Sequence, residues 1–161
     1  MHIVPIDQIP AHTTDCPVDK LAEVYDICKQ MHAVCKEQNG VGLSAVQVGI
    51  PWRLFVIGEG NGPYLNLVNC IYTQDEDKKF EAVEGCLSIK RADGTLRYFK
   101  VKRFLNIKVA GYWLIAKGGP PRLEPFQTKV GGESLLNVVF QHEIDHQNGI
   151  LISEIGEEIE L

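Results

Sequence analysis

Apolar and polar positions follow two different periods along this chain, and the switch between them divides it into elements. From about residue 18, Leu21, Val24, Tyr25, Cys28, Met31 and Cys35 recur at spacings of three and four, which predicts a helix with one buried face. Gly40 is expected to end it. Before that helix, Pro5, Pro10 and Pro17 break up any regular element, so residues 1–17 read as an irregular lead-in. A second helical run, through Leu135, Leu136, Val138, Val139 and Phe140, follows Gly131 and Gly132, with Glu133 and Ser134 suited to its first turn.

Between the helices the pattern is that of strands and turns. Residues 53–57 and 64–69 read as short strands separated by a turn from Gly58 to Pro63, and 75–79 as a charged turn. Residues 81–89 alternate and end in Gly85-Cys86-Leu87-Ser88-Ile89. Residues 90–102 are basic, with a hairpin-like turn at Ala92-Asp93-Gly94-Thr95. Residues 105–109 and 112–116 resemble a strand pair around Gly111, 118–121 a loop, and 123–129 a last strand. Helix, several strands, then helix predicts an α+β fold over residues 1–161 as a single domain, with mixed or antiparallel strands packed around the second helix. No repeat or linker interrupts it.

Composition narrows the function. A 161-residue chain can bury a substantial core. A net charge of -5, without a run of lysines and arginines, argues against nucleic acid as a direct partner. No apolar stretch approaches a membrane span and the N-terminus lacks a signal-peptide order, so no membrane partner and a cytoplasmic location are expected. The five cysteines, Cys16, Cys28, Cys35, Cys70 and Cys86, are an odd number without a C-x-x-C pair. Neither a disulfide framework nor a zinc ribbon is indicated, and small buried hydrophobes are their default role. His32, beside the apolar stripe of the first helix, is expected on the surface or in the core.

The strongest chemical signal is Gln141-His142-Glu143-Ile144-Asp145-His146 on the second helix. Histidines four apart lie about 6 Å apart along a helix axis on one face, so both imidazoles can reach one metal ion. Glu143 then stands beside that ion, placed to take a proton from metal-bound water. A catalytic site of this type needs a third protein ligand. The position six residues after His146 is Ile152, although Gly149 fits that longer pattern, and the tail carrying Glu154, Glu157 and Glu158 is short. An upstream ligand is expected, and one of the cysteines is a candidate. Cys86 follows Gly85, which would let the backbone bend and present the sulfur outward.

Three segments in this order, Gly40-Val41-Gly42-Leu43-Ser44-Ala45-Val46-Gln47, Glu84-Gly85-Cys86-Leu87-Ser88 and Gln141-His142-Glu143-Ile144-Asp145-His146, resemble the three signature motifs of the peptide deformylases. The resemblance implies that Cys86, His142 and His146 bind one divalent metal ion. Iron(II) is favoured by that family, and zinc or nickel suits the same thiolate and imidazole set. It also implies Glu143 as general acid/base, with Gln47 and the backbone N–H of Leu87 holding the oxyanion. The substrate would be the N-formylmethionyl end of nascent peptides, and the products formate and a free amino-terminal methionine.

Helical spacing places Leu135, Val138 and Val139 on the face of His142, where they would wall the methionine pocket. Val41 lies opposite by family analogy. An extended peptide would pair with the backbone near Val41 to Leu43 or Ile89 by strand addition, and Gly42, Glu84 and Gly85 are expected to contact the substrate. The hydrolytic parts alone would equally serve a small metalloprotease or another metal amidase. Ser44 stands where the family generally has alanine, and Lys90 where it often has proline. The stretch before Arg103 is longer than usual, which leaves open whether Arg91, Arg97 or Arg103 lines the peptide channel. Many bacterial members continue into a further helix linked to ribosome docking. Here the chain stops at Leu161, which suggests a compact version and leaves ribosome contact open.

Overall fold

The structure is a computed structural model that describes residues 1–58 and 62–161. The elements run α1 (Leu21–Glu37), β1 (Gly42–Ser44), β2 (Leu54–Ile57), β3 (Leu65–Gln74), β4 (Lys79–Lys90), β5 (Leu96–Phe104), β6 (Asn106–Ile115), β7 (Arg122–Gly131), α2 (Leu135–Gln147), α3 (Ile152–Ile155) and β8 (Gly156–Ile159). Two antiparallel sheets result, one ordered β1-β2-β3-β6-β7 and the other β4-β5-β8. The class is α+β.

The larger sheet is covered on both faces at β2, which explains why that strand shows no alternation: all four of its residues are buried. Leu54 and Val56 join Val24, Cys28, Met31 and Cys35 of α1 on one side. Phe55 and Ile57 join Val139, Phe140 and Ile144 of α2 on the other, where the rings of Phe55 and Phe140 meet edge to face. Period-two side chains feeding two separate cores are what a central strand requires. The smaller sheet buries Cys86, Ile89, Phe99 and Val101 against Ile152.

Several local expectations are corrected. The first helix stops at Glu37, before Gly40, because Asn39 takes a left-handed conformation (φ 54°) that short polar side chains tolerate. The stretch after Gly40 is a three-residue strand followed by a 3-10 turn, Ala45–Val48, closed by left-handed Gly49. Gly111 makes no turn: β6 runs straight through it and pairs with β3 and β7 along its length. A Cβ there would sit 2.9 Å from Cys70 Cα, so glycine is needed for close approach at the irregularity in β3 between Val68 and Ile71. The tail, read only as short, forms α3 and then pairs through β8 with β5. The proposed turn from Gly58 to Pro63 lies partly outside the described residues.

Where the expected turns do form, side-chain chemistry accounts for them. Ser134 caps α2 by accepting from the Asn137 N–H at 3.3 Å. Asp93 Oδ1 accepts from both Thr95 N (2.9 Å) and Thr95 Oγ1 (2.7 Å), tightening the β4–β5 hairpin. The charged turn at Asp75 is more than a solvated loop, since Asp75 pairs with Lys108 and Lys129 and fastens it to β6 and β7. No helix among the described residues is long and apolar enough to cross a membrane.

Candidate active site

The site lies where α2 meets two sheet edges. β1 is the edge of the larger sheet and β4 the edge of the smaller one, so each offers a free side to the gap between them. Gly42 on β1 presses against Glu143 of α2, and a Cβ at Gly42 would stand 2.5 Å from Glu143 Oε1 and 3.1 Å from its Cγ. Only glycine lets the strand come this close. On β4 the ladder to β5 breaks between Gly85↔Tyr98 and Lys90↔Leu96, with five residue steps on β4 against two on β5. That bulge holds Cys86, Leu87, Ser88 and Ile89, and Cys86 keeps the inward side of β4 that it shares with Ala82 and Glu84.

Cys86, His142 and His146 converge there. Their ligand atoms all lie within 4.8 Å of one another, with Cys86 Sγ 3.3 Å from His146 Nε2 and the two Nε2 atoms 3.2 Å apart. Tetrahedral coordination with the usual bond lengths gives N–N edges of about 3.3 Å and N–S edges of about 3.6 Å. The His142–His146 and Cys86–His146 separations therefore match two edges of such a polyhedron. Cys86 does not present its sulfur outward, as the sequence suggested. It is buried and points inward, while Gly85 faces the opposite side of the sheet, beneath Leu96 and Tyr98.

The surrounding electrostatics favour a cation at this corner. Burial lowers the pKa of His142, but hydrogen bonds to Cys86 and Glu84 outweigh it and raise the ring to about 10. A site that draws a proton so strongly would accept a metal ion in its place. His146 is held well below its ordinary pKa, first by burial and then by the charges of His142 and Arg103, so its ring is neutral. Burial pushes Glu143 up to about 7, near the range that suits a general base at neutral pH. Its Oε2 is buried without a partner, a polar atom that a water or substrate at the corner would satisfy.

Beneath the ligands lies a buried ion network. Glu84 Oε2 sits 2.8 Å from His142 Nδ1, fixing the ring so that Nε2 faces the corner. Arg103 donates from Nε (2.6 Å) and Nη2 (2.8 Å) to the two oxygens of Glu84, and from Nη1 to Asp145. Asp145 also accepts from the Tyr72 hydroxyl at 3.3 Å. Burial works against the Glu84 carboxylate, but Arg103 and His142 hold its pKa below the ordinary value. Glu84 borders the pocket, yet its carboxylate is committed to His142 and Arg103. The sequence reading named Arg103 only as a candidate for the channel wall and gave Asp145 no role of its own, since charge patterning says nothing about partners 42 positions apart.

The pocket, about 200 Å³, is lined by Val41, Gly42, Gln47, Glu84, Gly85, Leu87, Leu135, Val138, Val139, His142 and Glu143, among others. All seven residues expected to contact substrate border it. Gln47 accepts from Ser44 N (2.9 Å) through Oε1, which turns its amide nitrogen toward Cys86 Sγ (3.5 Å) and Ser88 Oγ (3.0 Å). Of the unusual residues, Ser44 is fully buried with its hydroxyl unpaired, and Lys90 bridges to Gln38 at 2.7 Å. His32 contributes nothing here; it stacks on Tyr64 and bonds Asn66.

A family model described as polypeptide deformylase matches residues 2–159 of the chain. The chain belongs to the peptide deformylase family. It is 38% identical over 144 residues to the peptide deformylase of Brucella suis biovar 1 (strain 1330), an alignment covering 83% of this chain and 74% of that one. It is 35% identical over 148 residues to that of Desulfitobacterium hafniense (strain DSM 10664 / DCB-2), covering 92% and 81%. Among solved structures, peptide deformylase from Thermotoga maritima superposes with a TM-score of 0.74 at 28% identity over 95% of both chains. The class I type b peptide deformylase from Acinetobacter baumannii gives 0.73 at 28% identity over 92% of both. Peptide deformylases are metal-dependent hydrolases that remove the N-formyl group from formylated peptides, and membership makes this chain an enzyme of that kind.

Proposed function

We propose that this chain deformylates N-formylmethionyl nascent peptides at the corner formed by Cys86, His142 and His146, with Glu143 as general acid/base. The observation that carries the assignment of residues is the convergence of one sulfur and two imidazole nitrogens beside a buried carboxylate whose Oε2 has no partner. A divalent ion held by Cys86, His142 and His146 would supply Lewis acidity there. Iron(II) is our choice of native metal, since the soft thiolate with two imidazoles suits iron(II), nickel or zinc.

Glu143, with its pKa near neutrality, takes a proton from the attacking water. As the formyl carbon becomes tetrahedral, negative charge grows on its oxygen. The Gln47 amide nitrogen and the Leu87 N–H, on the β4 bulge, are the donors that stabilise it. Glu143 then protonates the departing amine, and formate and the free amino-terminal methionine separate. Val41, Leu135, Val138 and Val139 give the methionine side chain an apolar wall, while Gly42 and Gly85 let the peptide backbone approach both sheet edges.

The same reading treats residues 1–161 as one catalytic domain, with the H-E-x-x-H helix at its centre and the amphipathic N-terminal helix on the far side of the larger sheet. It places the enzyme in the cytoplasm, where formylated chains emerge. The net charge of -5 supports action on the peptide without direct nucleic-acid binding, and any ribosome contact would have to be local.

The test is formate release under anaerobic conditions with parallel metal analysis, using formylated, acetylated and unblocked methionyl peptides. Selective hydrolysis of the formylated peptide, abolished in Glu143→Gln with metal content retained, is the expected result. Cleavage of internal peptide bonds would favour a metalloprotease, and full activity in Glu143→Gln would refute the assigned mechanism.

A further inference from the structure

The outer wall of the pocket is built by Leu96 and Tyr98 of β5. None of Arg91, Arg97 and Arg103 borders it among the described residues. Arg91 reaches back to Leu96 O and out to Glu160, and Arg97 pairs with Glu158 of β8, on the far side of β5 from β4. Arg103 is buried under Glu84. The channel therefore has an apolar wall where a cation could have stood.

Geometry at Gly85 puts that wall beside a bound peptide. Glu84 and Cys86 are directed inward, toward His142 and His146, so Gly85 between them faces the outer side of the sheet. A Cβ on Gly85 would meet Tyr98 Cε1 at 3.2 Å and Leu96 Cδ1 at 3.3 Å. Both side chains thus lie across a position that has none of its own. Val83, two residues away on the same face, is 54% exposed and also borders the pocket.

An extended peptide laid along the free edge of β4, its formyl carbon at the metal corner, must send successive side chains to opposite faces. The first goes to the α2 wall of Val138 and Val139. The second goes to the outer face. We propose that Leu96 and Tyr98, flanked by Val83, form an apolar subsite for the side chain of the substrate's second residue, and that this subsite makes the enzyme prefer aromatic or branched apolar residues there. The inference rests on the deformylase reading of the pocket and adds a selectivity that the metal corner cannot supply.

The experiment measures kcat/KM for formyl-Met-Xaa-Ser peptides, with Xaa as Ala, Leu, Phe or Glu, in the metal-loaded enzyme and in Tyr98→Ala, Tyr98→Phe and Leu96→Ala. Wild type should favour Phe over Ala by about five- to tenfold, mostly through KM, the scale of one apolar contact. Tyr98→Ala should reduce that ratio to about twofold or less, Leu96→Ala should weaken the preference for Leu, and Tyr98→Phe should keep both. Each ratio is taken within one protein, so a smaller folded fraction cancels. Equal kcat/KM for Phe and Ala in wild type would overturn the subsite, as would a Phe preference that survives in the double variant Leu96→Ala/Tyr98→Ala. Failure to release formate from any of the peptides is a separate outcome, which would overturn the deformylase reading and the subsite together.

Discussion

Replacing Arg103 by Met tests whether the metal corner stands on the ion network beneath it. Arg103 is 2% exposed and bonds both oxygens of Glu84 and one of Asp145, which are themselves buried. Methionine roughly keeps the volume but leaves two carboxylates facing each other without a counterion. Removing one partner of a buried pair costs about 3–5 kcal/mol, because the remaining charge has lost its compensation without regaining water. For a chain of this size each kcal/mol moves the melting temperature by about 2–4 °C, so Arg103→Met should melt roughly 6–20 °C lower. The assay is thermal unfolding of the metal-loaded protein, repeated for Glu84→Gln and for the double variant. A coupling energy of about 2 kcal/mol or more is expected, since Glu84→Gln removes one of the two charges that Arg103 neutralises. A melting temperature for Arg103→Met within 2 °C of wild type, or strictly additive single and double variants, would refute the reasoning.

Gly42→Ala should lower kcat by about a hundredfold or more while leaving metal content intact, because the new methyl must displace Glu143, whose Oε1 lies 2.5 Å from where it would sit. Activity unchanged in that variant would mean Glu143 is not the base. Gly111→Ala should destabilise by about 1–3 kcal/mol without altering KM, as the added carbon meets the backbone of Cys70 in β3; denaturant unfolding read against formate kinetics separates the two effects. Stripping the metal with a chelator should lower the melting temperature by several degrees in wild type and not in Cys86→Ala/His146→Ala, since a ligand that binds only the folded state stabilises it.

The α+β class was legible because α1 carries a clean helical period and the short apolar runs of β2, β3, β6 and β7 are separated by turn residues, while the hairpin at Asp93 carries its own turn chemistry. The failures have a common physical origin. Gly111 looked like a turn because glycine in a strand signals either a reversal or a close approach, and only the neighbouring strand, with Cys70 behind it, decides which. β8 was invisible because Gly156–Ile159 is only four residues, two of them acidic; it is a strand through pairing with β5 and through Glu158 meeting Arg97, neither of which is local in sequence. At the site, spacing on one helix brought His142, Glu143 and His146 together, and Cys86 shares the inward side of β4 with Ala82 and Glu84, but nothing in residues 81–89 discloses that this side faces α2. Arg103 is the clearest case: it follows a basic stretch and stood as a candidate for the channel wall, yet in β5 Lys100 and Lys102 take the exposed positions while Arg103 faces the core.

That inward arginine bears on how the corner can hold a cation at all. Cys86 as a metal ligand is a thiolate, and Glu84, Asp145 and Glu143 stand close by, so four groups of potential negative charge gather around one guanidinium. Without a cation the cheapest adjustment is protonation, and the raised pKa values of His142 and Glu143 show which groups would take the protons. With a divalent ion the balance changes: Arg103 pairs Glu84 and Asp145, the ion offsets the thiolate, and Glu143 is left as the one carboxylate without a partner of its own. The separation is spatial as well as electrostatic, because Arg103 lies below the histidines and Glu143 lies beside Gly42 at the pocket wall. An arginine on the pocket side would pair with Glu143 and lower its basicity. Buried beneath Glu84, Arg103 still lowers the pKa of Glu143 through space, but burial outweighs it, and the pocket carries Leu96 and Tyr98 where a directly pairing cation would stand.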